Sequence, residues 1–311
     1  MLDREEKPKL VVILGPTAVG KSKLAIEIAK RIGGDIVSAD SLQVYRYLDI
    51  GTAKPTREER QQVPHHLIDI VNPDEEFNAG LYRRYARELI KELHRNSRKV
   101  IVVGGTYLYV RVLLCGIVEG ISADSNIREH LRSLKSRYGP SYVYSMLKSI
   151  DPESASRIHP NDYVRIERAL EVYYLTGRRM SELQREHGFR ESEYHVLKIG
   201  LFENKEGLKD KINRRVERML KEGFVEEVRM LRDMGFNREL KPMQSIGYKQ
   251  INRYLDGEIT LEEAVELIKR DTRRFAKRQM TWLRRDGDIE WYSLSRDLDR
   301  IVDRVYGFFS H

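Results

Sequence analysis

Four residues near the start of the chain have the types and the spacing of a phosphate-binding loop. Gly15, Gly20, Lys21 and Ser22 match the pattern G-x-x-x-x-G-K-[ST], between a short apolar run and an amphipathic run. In such a loop the backbone N–H groups and the positive end of the following helix face the anion, the lysine adds a point charge, and the serine hydroxyl can bind Mg²⁺. The predicted phosphate-binding residues are Gly15, Pro16, Thr17, Ala18, Val19, Gly20, Lys21 and Ser22.

This loop alone does not specify a reaction. It can hold a nucleotide that is hydrolysed, a phosphoryl donor, or a diphosphate that leaves. Two features typical of nucleotide hydrolases are missing, since Asn204-Lys205 does not continue into an N-K-x-D motif and no apolar run ends in paired acids. The sequence therefore disfavours a GTPase and a hydrolytic motor.

A carboxylate and a hydroxyl follow two other apolar runs. Asp40 comes directly after the second run, and Thr106 comes after the fourth, preceded by Gly104-Gly105. Ligands bind beyond the carboxyl ends of parallel strands, so Asp40 could act as a general base or a magnesium partner, or it could cap a turn. Thr106 could contact a ligand beside two glycines that let the backbone approach closely, or it could cap the next helix.

Strand-like and helix-like segments alternate in the first part of the chain, which predicts an α/β domain with a parallel sheet. The strand-like runs are Leu10–Leu14, Ile36–Ala39, Leu67–Val71 and Val100–Val103. From Ile121 to about Glu193 only charged helical segments occur, and His195–Phe202 reads as a strand that returns to the first domain. The predicted organisation is a P-loop NTPase-like core over residues 1–120 and 194–311, with a helical insertion over residues 121–193.

The C-terminal part is predicted to be helical and basic, and its last long helix runs from Leu261 to about Arg285. An apolar stripe on this helix is predicted to face the core. The stripe comprises Leu261, Val265, Ile268, Phe275 and Trp282. The segment Lys269–Arg285 carries many basic residues against the single acid Asp271, in a chain of formal net charge +8. This charge indicates either a nucleic-acid or phosphate partner or a solvated helix face.

The composition and the first residues of the chain indicate the cellular compartment. The chain has 311 residues, and its single cysteine, Cys115, excludes an internal disulfide. The first residues, MLDREEKPKL, contain acids and a proline where a secretory signal has an apolar core. No apolar run approaches the roughly 20 residues of a membrane helix. We predict a cytoplasmic, monomeric protein.

Seven longer segments contain these motifs. They are GPTAVGKS (Gly15–Ser22), SADSLQVYRYLDIGTAKP (Ser38–Pro55), PHHLID (Pro64–Asp69), VVGGTYLY (Val102–Tyr109), RALEVYYLTG (Arg168–Gly177), QSIGYKQ (Gln244–Gln250) and RRFAKRQMTW (Arg273–Trp282). In this order and spacing they resemble the tRNA dimethylallyltransferase family, also called the IPP transferases, over nearly the whole chain. ADSLQVY and GTAKP together with GGT-x-LY are the most specific part.

The resemblance implies that a dimethylallyl group passes from dimethylallyl diphosphate to N6 of adenosine 37, next to the anticodon of tRNA. The phosphate-binding loop would hold the departing diphosphate with Mg²⁺ on Ser22. Asp40 would take the N6 proton, and Thr17 would stabilise the departing oxygen. Further diphosphate contacts are implied for Arg215, Lys277 and Arg278.

The resemblance also implies a set of tRNA-binding residues, with the helical insertion contacting the anticodon stem-loop. This set is Asp40, Ser41, Leu42, Gln43, Thr106, Arg128, Val164, Arg165, Ile166, Glu167 and Arg168. The sequence departs from many relatives at Val164, where they have glutamine.

Three other functions share some of these features. A P-loop kinase for a small metabolite or nucleotide would use the same loop, with Asp40 activating a hydroxyl acceptor. A nucleic-acid-binding NTPase module would have no transfer activity, and a related prenyltransferase would act on a free adenine nucleotide. The combination of DSLQ, GGT and a basic C-terminal helix favours the tRNA enzyme, and the long insertion favours a macromolecular acceptor.

Overall fold

The computed structural model describes residues 7–189 and 193–310, and a parallel sheet lies at its centre. The six strands are β1 (Lys9–Leu14), β2 (Gly34–Ser38), β3 (His65–His66), β4 (Lys99–Val103), β5 (His195–Leu201) and β6 (Ile289–Tyr292). Their order across the sheet is β3-β2-β4-β1-β5-β6, and every pair is parallel. The central strands are apolar on both faces because helices cover the sheet. The predicted α/β class is confirmed.

The chain divides into two compact units. One comprises Met1–Leu114 and Ser192–His311, and the other comprises Cys115–Glu191. We call the first the α/β unit and the second the helical unit. The helices of the α/β unit are α1 (Lys21–Ile32), α2 (Arg57–Gln62), α3 (Ala79–Arg95), α4 (Tyr107–Cys115, ending at the unit boundary), α10 (Lys205–Lys221), α11 (Phe224–Asp233), α12 (Tyr248–Leu255), α13 (Leu261–Leu283) and α14 (Leu294–Ser310).

The core of the α/β unit joins the first and last helices to the sheet. Leu24 and Ile28 of α1 are fully buried and pack with Ile13 of β1. Ile301 and Val305 of α14 belong to the same cluster. Each fully buried aliphatic side chain stabilises the fold by about 1.5–3 kcal/mol. The phosphate-binding loop therefore lies between two well-packed elements, β1 and α1.

The helical unit has its own core and, within the residues described, contains helices without strands. Its helices are α5 (Ser125–Tyr138), α6 (Pro140–Ile150), α7 (Pro152–Arg157), α8 (Tyr163–Thr176) and α9 (Met180–His187). Leu131, Val143, Leu147 and Leu170 are fully buried in one cluster. Proline occupies the first position of α6 and of α7, where the missing N–H costs no hydrogen bond.

The predicted third strand over Leu67–Val71 is wrong. The strand of the sheet is instead His65–His66, and Val71 forms an isolated bridge with Tyr45. Leu67 and Asp69 have φ values of 59° and 57°, which an extended strand does not allow. The apolar residues of this segment reflect its packing and not a strand conformation.

The predicted apolar stripe of the last long helix is partly wrong. Ile268 is buried, but Phe275 and Trp282 are exposed. The buried positions of α13 are Ala264, Ile268, Ala276, Gln279 and Leu283. Across the described residues, no helix combines the length and the hydropathy needed to cross a membrane.

Candidate active site

A cavity of about 450 Å³ opens beyond the carboxyl ends of β1, β2 and β4. Ligands of parallel α/β proteins bind at this edge of the sheet, and the volume is in the range of small-molecule sites. The structure brings together many of the residues predicted for the site. Those that line the cavity are Thr17, Lys21, Ser22, Asp40, Ser41, Leu42, Gln43, Thr106, Arg215 and Arg278.

The phosphate-binding loop has the backbone geometry that its glycines were expected to allow. Gly15 and Gly20 have φ values of 148° and 109°, and a Cβ on Gly15 would approach the carbonyl oxygen of Leu201 to 2.8 Å. Helix α1 begins at Lys21 with no acid in its first turn, and no side chain of the described chain caps it. The N–H groups at this helix end are therefore available to an anion.

Lys21 is held over its own loop. Its Nζ donates hydrogen bonds to the carbonyl oxygens of Gly15 at 3.0 Å and Pro16 at 2.8 Å. Burial and the neighbouring Arg215 together lower the pKa of Lys21 to about 8, and Asp40 opposes this shift. A bound diphosphate would add negative charge beside Lys21 and raise this pKa again.

Asp40 lies in the turn that follows β2, and this turn fixes one of its oxygens. Oδ1 accepts hydrogen bonds from the N–H groups of Leu42 at 2.9 Å and Gln43 at 3.4 Å. The Thr106 hydroxyl accepts the N–H of Ser41 at 3.0 Å, so the loop after β4 holds the loop after β2. One oxygen of Asp40 thus caps a turn, and the residue also lines the cavity.

Two arginines add positive charge to the cavity, and Lys277 does not. Arg215 of α10 lines it and donates to the carbonyl oxygen of Thr52 at 3.2 Å. Arg278 of α13 lines it beside Phe275, with its Cζ 6.0 Å from the ring centroid. Lys277 is exposed, and it is not part of the cavity lining. The structure therefore separates Lys277 from the other predicted diphosphate ligands.

The GTAKP segment is positioned by buried polar groups from elsewhere in the α/β unit. The carboxylate of Glu227 accepts the N–H groups of Asp49, Ile50 and Gly51 at 3.0, 2.6 and 3.1 Å, and the hydroxyl of Tyr248 at 2.6 Å. A Cβ on Gly51 would lie 2.3 Å from the ring of Phe224 and 2.6 Å from that of Tyr248. This residue must therefore be glycine.

Lys54 of the same segment is almost completely buried. Its Nζ donates to the carboxylates of Asp49 at 2.5 Å and Asp69 at 2.6 Å and to the carbonyl oxygen of Tyr45 at 2.9 Å. A buried ammonium group needs such partners, because an isolated buried charge costs several kcal/mol. Lys54 and Glu227 together fix the loop whose residues Gly51, Thr52, Ala53 and Pro55 line the cavity.

The predicted tRNA-binding arginines of the helical unit are engaged with carboxylates. Arg128 and Arg168 both donate to Glu171, whose side chain is fully buried, at 2.7 and 2.6 Å. Burial alone would raise the pKa of Glu171, but the hydrogen bonds from Arg128 and Arg168 hold it below its usual value. Arg165 pairs with Asp162.

The other predicted residues of this unit divide into exposed and buried ones. Val164 is 76% exposed, so its apolar side chain is presented at the surface. Ile166 lies in the core of the unit, and Glu167 is nearly buried and pairs with Arg132 at 3.3 Å. The expectation that all of residues 164–168 present side chains to tRNA needs correction for Ile166, because helical periodicity turns it inwards.

Two residues that the structure places at the site have no site role in the sequence-based predictions. Gln279 and Phe275 line the cavity from α13. Both belong to the RRFAKRQMTW segment, but Phe275 was attributed to the core. A polar residue at helical spacing from Ile268 and Leu283, on the buried face, was the signal that could have identified Gln279.

In the part of the chain that the structure describes, no three His, Cys, Asp or Glu side chains lie together in a group that could hold a metal ion. Mg²⁺ does not require one, because it usually keeps several waters and binds through substrate phosphates and one or two protein oxygens. Ser22 and Asp40 both line the cavity and could supply such oxygens. The residues present therefore fit a phosphate-bound Mg²⁺.

The parallel sheet and the phosphate-binding loop define a P-loop protein, and comparisons with known proteins show its family. A family model described as IPP transferase matches residues 43–286. The "tRNA dimethylallyltransferase 2" of Syntrophus aciditrophicus is 53% identical over 287 residues, covering 92% of each chain. A protein of the same name from Geotalea uraniireducens is 50% identical over 310 residues, covering 100% of both. The chain belongs to the IPP transferase family.

Solved structures show the same similarity. The full-length tRNA isopentenylpyrophosphate transferase of Bacillus halodurans superposes with a TM-score of 0.73 at 42% identity, covering 98% of this chain and 97% of that one. A eukaryotic dimethylallyltransferase acting on tRNA gives a TM-score of 0.84 at 31% identity, covering 97% and 80%. The predicted family and the P-loop core are confirmed.

Proposed function

We propose that this protein transfers a dimethylallyl group from dimethylallyl diphosphate to N6 of adenosine 37 in tRNA and releases diphosphate. The observation that carries the proposal is one cavity, in a member of the IPP transferase family, that joins a phosphate-binding loop, two arginines and one carboxylate. The names of the relatives support tRNA as the acceptor.

The cationic side of the cavity fits the departing diphosphate. As the allylic C–O bond breaks, negative charge accumulates on the bridging oxygen, and fixed donors stabilise it without reorganisation. Lys21, Arg215 and Arg278 supply positive charge, and the start of α1 supplies N–H groups. The Thr17 hydroxyl is assigned to the bridging or an adjacent oxygen. The loop N–H groups of residues 18–20 complete the cradle, because Pro16 has no N–H and that of Thr17 is donated to Gln279.

Asp40 is assigned as the general base. The lone pair of N6 attacks C1 of the dimethylallyl group, the C1–O bond breaks, and the bonding electrons leave with the diphosphate. The nitrogen becomes positively charged, and its proton passes to the carboxylate of Asp40. Because Oδ1 is held by the Leu42 and Gln43 amides, Oδ2 is the oxygen assigned to the proton.

Mg²⁺ is assigned to the diphosphate, with Ser22 as its protein contact. When bound, it would neutralise charge on the phosphate oxygens of the leaving group. The protein residues position the phosphates independently, through Lys21 and the helix end described above.

The acceptor is assigned to the side of the cavity formed by Asp40–Gln43 and Thr106. A base in an RNA loop can be turned out of its stack and bound by its edges, and this gives N6 access to a recessed carboxylate. The helical unit is assigned to the anticodon stem-loop, through Val164 and Arg165 and through the partly exposed side chains of Arg128 and Arg168, which stay paired with Glu171. Every residue assigned to the transfer belongs to one chain, which supports a monomeric enzyme, and a tRNA acceptor supports a cytoplasmic one.

The decisive experiment uses the purified protein with Mg²⁺, dimethylallyl diphosphate and unmodified tRNA. Mass spectrometry of the digested tRNA should find one C5 unit on the adenosine next to the anticodon. A parallel reaction with a free adenine nucleotide should give no product. Unmodified tRNA together with release of ADP from ATP would overturn the proposal in favour of a kinase or an NTPase.

A further inference from the structure

The side chain of Gln279 joins two loops of the cavity. Its Oε1 accepts the N–H of Thr17 at 2.9 Å, and its Nε2 donates to the carbonyl oxygen of Gly105 at 2.9 Å. A backbone N–H can only donate and a carbonyl oxygen can only accept, so one orientation of the amide satisfies both. Gln279 is 7% exposed. It is therefore a buried bridge with both of its functional groups in use.

The two bridged loops serve opposite sides of the proposed reaction. Thr17 lies in the phosphate-binding loop, on the donor side. Gly105 precedes Thr106, whose hydroxyl binds the N–H of Ser41 beside the proposed base Asp40, on the acceptor side. The path from one side to the other passes through hydrogen bonds of 2.9 to 3.0 Å at Gln279 and Thr106.

The glycines of the GGT turn are needed for this close approach. A Cβ on Gly105 would lie 2.6 Å from Nε2 of Gln279, and a Cβ on Gly104 would lie 2.0 Å from the carbonyl oxygen of Ala39. Gly104 therefore lets the end of β4 meet the end of β2, and Gly105 makes room for the glutamine amide. The turn and Gln279 fit each other sterically as well as through hydrogen bonds.

We propose that Gln279 is a positioning residue that sets the separation between the departing diphosphate and the attacking N6. The inference rests on the proposed transfer reaction. Gln279 acts through Thr17 and Gly105. Displacement requires the reacting atoms to be held about 3–3.5 Å apart and in line, and a misplacement of about 1 Å can cost about 100-fold in rate. Loosening the bridge should therefore reduce kcat more than it weakens the binding of either substrate.

Gln279→Met is the test variant, because methionine has a similar length and fills the same volume but makes neither hydrogen bond. We expect kcat to fall about 30–100-fold, with KM for dimethylallyl diphosphate and for tRNA within about threefold of wild type. Gln279→Glu keeps an acceptor for Thr17 but turns an oxygen towards the carbonyl of Gly105, so it should also fail to restore kcat. Wild-type kcat in Gln279→Met would overturn the proposal.

Gln250 offers a matched control on α12. It is also buried, with Oε1 accepting the N–H of Gly247 at 2.9 Å and Nε2 donating to Asp271 at 3.0 Å. Gln250→Met removes the same two kinds of hydrogen bond but connects neither Thr17 nor Gly105. We expect it to lower Tm at least as much as Gln279→Met does, with a much smaller fall in kcat. Equal falls in kcat would attribute the effect to lost stability and overturn the proposal.

Hydrogen exchange in the free enzyme separates this inference from the proposed function. Exchange at the Thr17 amide should accelerate in Gln279→Met and stay unchanged in Gln250→Met, because only Gln279 binds that N–H. Unchanged exchange at Thr17 in Gln279→Met would overturn the bridge whatever the enzyme's activity. Failure of the wild-type protein to modify tRNA would instead overturn the proposed function.

Discussion

Arginine is used in two different ways in the two units of this protein. In the helical unit, Arg128 and Arg168 share the fully buried carboxylate of Glu171. In the cavity of the α/β unit, by contrast, no carboxylate within residues 7–189 and 193–310 forms an ion pair with Lys21, Arg215 or Arg278. In the helical unit, a carboxylate of the protein neutralises the arginine charges. In the cavity, the positive charge remains available to a ligand.

This difference shows which basic residues stabilise the fold and which prepare a site. Neutralising a buried carboxylate with two arginines removes a charge that would otherwise be costly. In the cavity, burial and the neighbouring Arg215 make the charged form of Lys21 less favourable, and they lower its pKa to about 8. Perturbed groups in a cleft are typical of functional sites. The sequence alone does not distinguish the two kinds of arginine, because both occur in charged helices.

The largest effect is expected at Asp40, the carboxylate among the cavity cations. Asp40→Asn can keep the turn, because the amide oxygen can still accept the Leu42 and Gln43 N–H groups, but it cannot take a proton. We expect transfer to fall by about 10²–10⁴, with tRNA affinity nearly unchanged, in single-turnover and filter-binding measurements. Equal loss of transfer and binding would make Asp40 a structural residue.

The next effect is expected in the helical unit. Glu171→Ala leaves Arg128 and Arg168 without their shared carboxylate, and we expect the free energy of unfolding to fall by about 3 kcal/mol in thermal or urea unfolding. Wild-type stability should also fall in acid. Because the folded-state pKa of Glu171 is lowered, its contribution is complete above the ordinary glutamate pKa of about 4.3 and is lost as the pH falls below it.

Glu171→Gln is the milder control, since it keeps the side-chain volume and one acceptor. An unchanged Tm in Glu171→Ala, accompanied by altered tRNA affinity, would contradict the structural assignment. The two arginines would then resemble the cavity cations, and the contrast between the units would disappear.

A pH effect of intermediate size is expected from Lys21. Its pKa of about 8 means that the free enzyme loses this charge as the pH rises above 8, so kcat/KM for dimethylallyl diphosphate should fall by up to about tenfold per pH unit there. Bound diphosphate holds the proton on Lys21, so kcat should change less. Lys21→Arg, which stays charged, should flatten the alkaline limb even if its activity is lower. An alkaline limb unchanged in Lys21→Arg would exclude Lys21 as its source.

The smallest effect is expected from basic residues of α13 that do not line the cavity. Arg273→Gln, Arg274→Gln and Lys277→Gln should each reduce the slope of log Kd for tRNA against log salt by up to about 1, the amount for one phosphate contact. Arg274 is close to Asp271, at 3.6 Å, and so should contribute less than Lys277. An unchanged slope in all three would make this part of α13 a solvated face.

Local features were the ones that the sequence predicted well. The phosphate-binding loop is eight contiguous residues, and strands β1, β2, β4 and β5 each contain a short apolar run, so no distant information was needed. Asp40 and Thr106 could be placed because the carboxyl ends of parallel strands meet at one edge. The segment Leu67–Val71 misled the prediction, because apolar content does not reveal that Leu67 and Asp69 have positive φ.

Features that depend on partners far along the chain were not predictable. Glu227 binds the amides of Asp49–Gly51, and Gln279 binds Thr17, across most of the α/β unit. Gln279 can be recognised as a polar residue on the buried face of α13, but no pattern within α11 or α13 indicates the distant partner. Phe275 and Trp282 looked like core residues because spacing gives the face of a helix but not which face is covered. In the folded protein, the face of α13 that carries Ala276 and Gln279 is the one that is buried.

The sheet order bears on how the chain folds as it is synthesised. Strand β1, which leads into the phosphate-binding loop, lies between β4 and β5, and α14 at the other end of the chain packs on α1. A ribosome therefore completes the helical unit before β5 exists, while one edge of β1 and the apolar face of α1 still await their partners. Domains fold in order of synthesis. The α/β unit is thus the last part to close, and a nascent chain truncated before α14 would lack Ile301 and Val305, which complete the core cluster shared with α1.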